Sequence, residues 1–217
     1  MKMKQKLVAG AIALSAMAGF SVPAAHAEVS AAIGAANMYY WRGLDLGEGD
    51  AQVWGDLKYS VSGFYTGVWA SSGDFDDGQE YDLYAGYGGS LGDFRYDVSL
   101  WSYVYPQVDV SPADFTEAVV SLGYGPVTAT YFKNIAAKDY GDNSYSYATL
   151  AVVLDKFTLK YGVHMDDTDS VDGVAHVDLT YAYNDKLSFT LGKVIDDKDE
   201  TVNDEAKFVV GFTLPIE

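Results

Sequence analysis

The sequence predicts an all-β fold, a transmembrane antiparallel up-and-down β-barrel of about twelve strands. Three observations predict it. Side chains alternate with period two along almost the whole chain. The connections between the alternating runs are by turns short and long. An export signal stands at the N-terminus, and no later stretch reaches the roughly 18 consecutive apolar residues of a membrane helix.

The elements follow in order. Lys2, Lys4 and Lys6 form a basic start, Leu7 to Phe20 is a mostly apolar run, and Ala25-His26-Ala27 fits a small-x-small cleavage site. Residues 1–27 therefore read as a secretory signal peptide, and 28–217 as the barrel. Strands are expected near 29–42, 51–60, 63–71, 80–89, 93–105, 114–124, 126–134, 144–154, 157–165, 173–183, 187–195 and 206–215. The alternation is plain in the fourth, where Tyr81, Leu83, Ala85 and Tyr87 interleave with Asp82, Tyr84, Gly86 and Gly88. It recurs at Phe94-Tyr96-Val98-Leu100, Phe157-Leu159-Tyr161-Val163, Ala175-Val177-Leu179-Tyr181 and Phe208-Val210-Phe212-Leu214. Helical periodicity is absent.

The short connections are Ser60 to Gly63, Gly89 to Asp93, Gly125-Pro126, Asp155-Lys156 and Asn184 to Lys186. The long ones are 43–50, 72–79, 106–113, 135–143, 166–172 and 196–205. An even number of strands then puts both termini and all short turns at one end, the periplasmic end of an outer-membrane barrel.

Composition narrows the function. The 217 residues carry a formal charge of −17, which becomes −20 once the three signal lysines are gone. That balance argues against nucleic acid as a partner, because a phosphate backbone needs a basic surface. The absence of Cys excludes disulfides, Cys-ligated zinc, a thiolate nucleophile and a lipid-anchored N-terminal Cys.

Alternation alone does not separate a membrane barrel from a soluble barrel turned the other way out. The polar face carries both signs of charge, aromatics (Tyr39, Trp41, Tyr59, Phe94, Phe157, Phe208) recur near strand ends of the apolar face, and twelve strands exceed the eight of a lipocalin. Together these favour the outer membrane of a Gram-negative bacterium. The partners expected there are outer-membrane lipid and lipopolysaccharide.

Several motifs in order resemble the TorF family of porins. They are Tyr39-Tyr40-Trp41-Arg42-Gly43, the run Ser62 to Ser71, Glu80 to Tyr87, Tyr96-Asp97-Val98, Asp114 to Glu117 and Leu122 to Pro126. The resemblance implies an outer-membrane barrel and a pore, with no catalytic residues. The chain departs from many such barrels in ending Leu214-Pro215-Ile216-Glu217 rather than on an aromatic.

The residues expected to line the pore are Arg42, Asp56, Lys58, Asp82, Arg95, Asp97, Glu117, Lys160, His176, Asp178 and Lys207. Arg42 and Lys207 are expected on one wall at the external end, because closure makes the first and last strands neighbours. Opposed acidic and basic groups would give a transverse field at a constriction. The same residue types would equally build an ion-pair network that plugs the barrel. The long connections are acidic: Asp45, Glu48 and Asp50; Asp74, Asp76 and Asp77; Asp166, Asp167, Asp169 and Asp172; Asp196, Asp197, Asp199, Glu200, Asp204 and Glu205. They suggest a mouth that concentrates cations, against a plain solvated surface or loose Ca²⁺ or Mg²⁺ binding. His164, His176 and Asp178 could make a two-His, one-carboxylate metal site or an acid–base pair, but without a motif they read as plain lumenal residues. No cofactor is expected, and neither a G-x-S-x-G elbow nor a zinc-protease helix motif is present. The expected function is passive diffusion of small hydrophilic solutes or ions, with a preference for cations. The alternatives are a closed barrel that binds a surface ligand or divalent cations, and a barrel hydrolase using His176 and Asp178.

Overall fold

The computed structural model describes residues 27–74, 77–137, 144–166, 171–198 and 200–216. Residues 1–26 of the expected signal segment lie outside the described residues, as do Asp76, Asp167, Asp169 and Asp199. The strands are β1 (Glu28–Ala36), β2 (Tyr40–Trp41), β3 (Leu44–Asp45), β4 (Gln52–Val61), β5 (Phe64–Asp74), β6 (Gly78–Leu91) and β7 (Phe94–Tyr105). They continue with β8 (Val110–Tyr124), β9 (Val127–Ala137), β10 (Ser146–Leu154), β11 (Phe157–Met165), β12 (Ala175–Ala182), β13 (Leu187–Asp196) and β14 (Lys207–Ile216).

Twelve of these strands form one closed barrel. Each pairs antiparallel with its sequence neighbour, and β14 closes on β1 through Ala31↔Ile216 to Ala36↔Gly211. Closure is what a lipid setting demands, because an open edge would leave backbone N–H and C=O groups without partners. β2 and β3 stand apart as a two-stranded sheet of their own. Among the described residues the one helical element is a 3₁₀ turn at Pro106–Val108.

The surface is inverted relative to a soluble protein. Leu57, Leu83, Leu100, Leu159 and Leu191 stand about half-exposed at mid-strand on the outside. Arg42, Asp82, Asp97, Glu117, His176 and Asp178 are buried inside. Outward aromatics gather by the short turns, where Phe64 meets Tyr87 with ring centroids 4.6 Å apart and Phe157 meets Tyr181 at 5.0 Å. An apolar belt edged by aromatic rings around a polar interior is the form a barrel takes in lipid. The protein is an outer-membrane β-barrel.

Two sequence expectations change. The first strand ends at Ala36, not 42, so Tyr39 and Trp41 do not join an outer aromatic girdle. Tyr39 is buried, and both belong to a segment that turns into the lumen and packs on Trp69 and Tyr84. The connections expected at 72–79 and 106–113 are shorter than expected, since β5 runs to Asp74, β6 begins at Gly78 and β8 begins at Val110. The β5–β6 ladder runs to Asp74↔Gly78 and the β7–β8 ladder to Tyr105↔Val110, because the backbone pairing continues past an irregularity in each. Polar composition had suggested loops there, but a ladder that rises above the lipid belt can carry polar side chains on both faces.

The outward face yields a direct test. Leu100→Arg places a charge near the middle of β7 on the lipid side and should cost about 2–4 kcal/mol. Urea unfolding in lipid vesicles, compared with Leu100→Ala, measures that penalty.

Candidate functional site

The site is built by the connection between β1 and β4. Asn37 anchors its start to the neighbouring strand. Its side-chain amide donates to the Phe208 carbonyl at 3.0 Å and its oxygen accepts from the Val210 N–H at 2.6 Å. The chain then enters the barrel as the small hairpin β2–β3, pairing Tyr40↔Asp45 and Trp41↔Leu44. Arg42 and Gly43 form its two-residue turn with φ of 48° and 89°. Positive φ at both positions is the type I′ pattern, which Gly adopts freely and Arg at some cost. Gly43 is also required by space, since a Cβ there would lie 2.6 Å from Cγ of His176.

Arg42 is the centre of the arrangement, with 1% of its surface exposed. Its Nη1 and Nη2 donate to the two Glu117 oxygens at 2.9 and 2.6 Å, a bidentate fork. Nη1 also donates to the Tyr145 hydroxyl at 3.0 Å. The guanidinium lies 4.3 Å from the Trp41 ring centre, 4.4 Å from Phe132 and 4.8 Å from Tyr147. Opposite charge, a hydroxyl acceptor and aromatic faces together replace the water that the cation has lost. Against burial, which alone would favour losing the proton, Glu117 holds Arg42 firmly charged.

The bonds around Arg42 close into a ring. Because Arg42 donates to Tyr145, the Tyr145 proton turns to His164 Nδ1 at 2.9 Å. His164 Nε2 then donates to the Arg42 carbonyl at 2.8 Å. Burial pushes the Tyr145 phenol up to about 12, so it remains a donor. Glu117 takes a further bond from the Tyr103 hydroxyl at 2.7 Å.

A second set of contacts holds the tyrosines beside Arg42. Tyr40 donates to Asp178 Oδ1 at 2.6 Å, and burial followed by the nearby Asp178 charge keeps this phenol protonated. Asp178 also faces His176 Nδ1 at 3.0 Å and forms an ion pair with Lys160 at 2.8 Å. The Tyr147 hydroxyl bonds His176 Nε2 at 2.7 Å. A side chain at Gly162 would collide with both of those atoms, so the bond passes over β11 on its inner face where there is no Cβ. Tyr39 donates to Glu80, which also accepts from Tyr105 at 2.9 Å. A cavity of about 20 Å³, room for roughly one water, lies beside Arg42, Asp82, Trp69 and Trp101.

The expected pore residues all sit on the interior, in separate groups. Arg42 is not on a wall shared with Lys207: it rides on the inserted hairpin and reaches Glu117. Lys207 stays with its own connection, donating to the Asn203 carbonyl at 2.7 Å. His176, Asp178 and Lys160 form one cluster. Nearer the short turns, Tyr84 donates to Asp56 at 2.8 Å and Tyr65 to Asp97 at 2.8 Å, with Lys58 close enough to act on both carboxylates. Arg95 donates to the Gly125 carbonyl by a short turn.

Sequence reasoning missed Glu80, Tyr103, Tyr145, Tyr147 and Phe132. Glu80 and Tyr103 share the inward parity of Asp82 and Asp97, which is the signal that was available. Both nitrogens of the fully buried His176 are engaged, by Tyr147 and Asp178, so the His176–Asp178 pair holds the inserted hairpin and presents no accessible base. Among the described residues no group of three or more His, Cys, Asp or Glu could hold a metal ion.

Glu117→Gln leaves the Arg42 charge buried without its counter-ion and should cost about 3–5 kcal/mol. The paired replacement Arg42→Met with Glu117→Leu removes both charges and should cost less than the single change. Denaturant unfolding of the three barrels in detergent compares them.

Comparison with curated protein sequences finds no match. Among solved structures, a KdgM porin in complex with disordered oligogalacturonate shares 11% identity over 86% of this chain and 98% of its own, at TM-score 0.48. Outer membrane phospholipase A from Escherichia coli shares 10% over 87% and 90%, at 0.44. OccD1 (OprD) shares 13% over 87% and 65%, at 0.41. A channel and a lipase at similar scores carry no function across, and the barrel assignment rests on the strand pairing described above. A family pattern does match, over residues 21–199, and on that match the chain belongs to the Gcw_chp family, described as bacterial protein of unknown function.

Proposed function

We propose that the protein is a porin-like channel for small hydrophilic solutes or ions, closed at rest by its own first connection. One observation carries this reading. At the depth of Arg42 the lumen is filled by a segment that belongs to no strand of the barrel. The twelve-strand ladder is complete without it, so the hairpin can leave and the ring remain closed. Twelve strands enclose more than the eight that wall side chains alone can fill.

Below the hairpin the interior carries polar side chains alongside the rings of Tyr65 and Tyr84. Ser121 and Thr130 hydroxyls meet at 2.7 Å, Thr180 and Thr190 at 2.8 Å, and the charges of Asp56, Lys58, Asp97 and Lys160 face the same space. Asp45, Glu48, Asp50, Asp197, Asp204 and Glu205 lie on connections at the external mouth, where they would concentrate cations. The resemblance to TorF porins supports the same reading.

Ala36 and Gln52 are register partners on adjacent strands, so residues 37–51 can be replaced by a two-residue Asn-Gly turn. In planar bilayers under a KCl gradient, the native barrel should be mostly silent. The shortened barrel should conduct steadily, with a reversal potential directed toward cations. Asp82→Lys in the shortened barrel should move that potential toward anions. A folded, silent shortened barrel would overturn the channel and favour a closed barrel.

A further inference from the structure

We infer that the barrel wall around Glu117 is a receptor for a guanidinium group, occupied in cis by Arg42 and open to a free alkylguanidinium solute when Arg42 does not fill it. The receptor is assembled from five adjacent strands, β7 to β11, and their margins, all of them outside the inserted hairpin. Glu117 of β8 supplies two carboxylate oxygens in line with the two terminal nitrogens. Tyr145, next to β10, accepts a third N–H at 3.0 Å. Phe132 of β9 and Tyr147 of β10 give the aromatic faces at 4.4 and 4.8 Å. Neither acceptor is free to turn away, because Tyr103 of β7 holds Glu117 and His164 holds Tyr145.

Shape follows from this set. A planar fork can span both oxygens while its face lies on a ring; a compact ammonium cannot do both at once. The recognised part is the terminal pair of nitrogens. Nε of Arg42 has no hydrogen-bond partner, and Arg42 lines the same cavity as Asp82, whose Oδ1 is also without one. The substituted end of the ligand is therefore the loosely held end, and the site suits monoalkylguanidinium compounds as a class. A tethered arginine competes at high effective concentration, so the intact chain masks the site.

This receptor does not depend on conduction; only its bearing on which solutes pass rests on the channel reading. The test uses the Arg42→Ala barrel. Ethylguanidinium chloride and ethylammonium chloride are titrated at equal ionic strength, and the thermal unfolding midpoint is followed. The guanidinium should raise the midpoint at a concentration about tenfold or more below that needed with the ammonium, as one bidentate charge-assisted contact allows. The Arg42→Ala, Glu117→Gln double variant should not distinguish the two cations. Equal responses in the single variant, or a difference that survives in the double variant, would overturn the receptor. If Arg42→Ala does not fold unaided, refolding yield is read instead. Recovery with ethylguanidinium alone supports the site, and failure with both cations overturns it. Bilayer recording of the barrel with residues 37–51 replaced separates the two readings. Silence of that shortened barrel, with cation discrimination kept in Arg42→Ala, removes the channel and leaves the receptor.

Discussion

The interior of this barrel is organised around one buried cation. A guanidinium with 1% of its surface exposed has given up nearly all its water, and a medium of low dielectric returns that loss only through close and well-directed partners. Glu117 supplies the charge, Tyr145 a third acceptor, and four aromatic rings a polarisable surround. Each partner brings its own requirement. Glu117 still has a lone pair that Tyr103 fills, and Tyr145 still has a proton that His164 accepts. His164 then bonds the Arg42 carbonyl, so the backbone of the turn is fixed by the network that its own side chain began.

That network explains the backbone of the turn. Arg42 sits in the left-handed region that non-glycine residues avoid, and Gly43 presses its backbone against His176 where a Cβ would not fit. A hairpin of two-residue strands would not hold by itself in water. Here it is held by Asn37 on β14, Tyr39 on Glu80, Tyr40 on Asp178 and Arg42 on Glu117, four attachments to four parts of the wall. The attachments are a few polar contacts, three to wall side chains and one from Asn37 to the β14 backbone, whereas the wall coheres through its continuous backbone ladder. The plug and the ring are thus separable in energetic terms, which is what makes a closed resting state compatible with a passage.

Much of the architecture was legible in the residues. Period-two alternation set the face of Asp82, Asp97, Glu117, Lys160 and Asp178, and all of them point inward. Alternating connection lengths set the end at which both termini lie. The misplacements have one cause. Tyr39, Tyr40 and Trp41 continue the aromatic character of a strand end, and alternation does not reveal whether an aromatic faces lipid or a partner inside the lumen. The reach of the β5–β6 and β7–β8 ladders was hidden similarly, since strand above the lipid belt has no apolar face to mark it.

By itself, the sequence determined that this chain is an exported, acidic, all-β barrel with a charged interior, because strand periodicity and turn chemistry are local properties written residue by residue. Which charges meet was decided only by the tertiary structure. Arg42 and Glu117 stand 75 positions apart, and Arg42 and His164 122 apart. No spacing rule joins them. The ladders of β8 to β11 set these residues at one depth, the closed ring turns them toward a common axis, and only the inward turn of the first connection delivers a cation there. The pairing is a consequence of closure, and closure is enforced by lipid, which leaves a sheet edge nowhere else to bond.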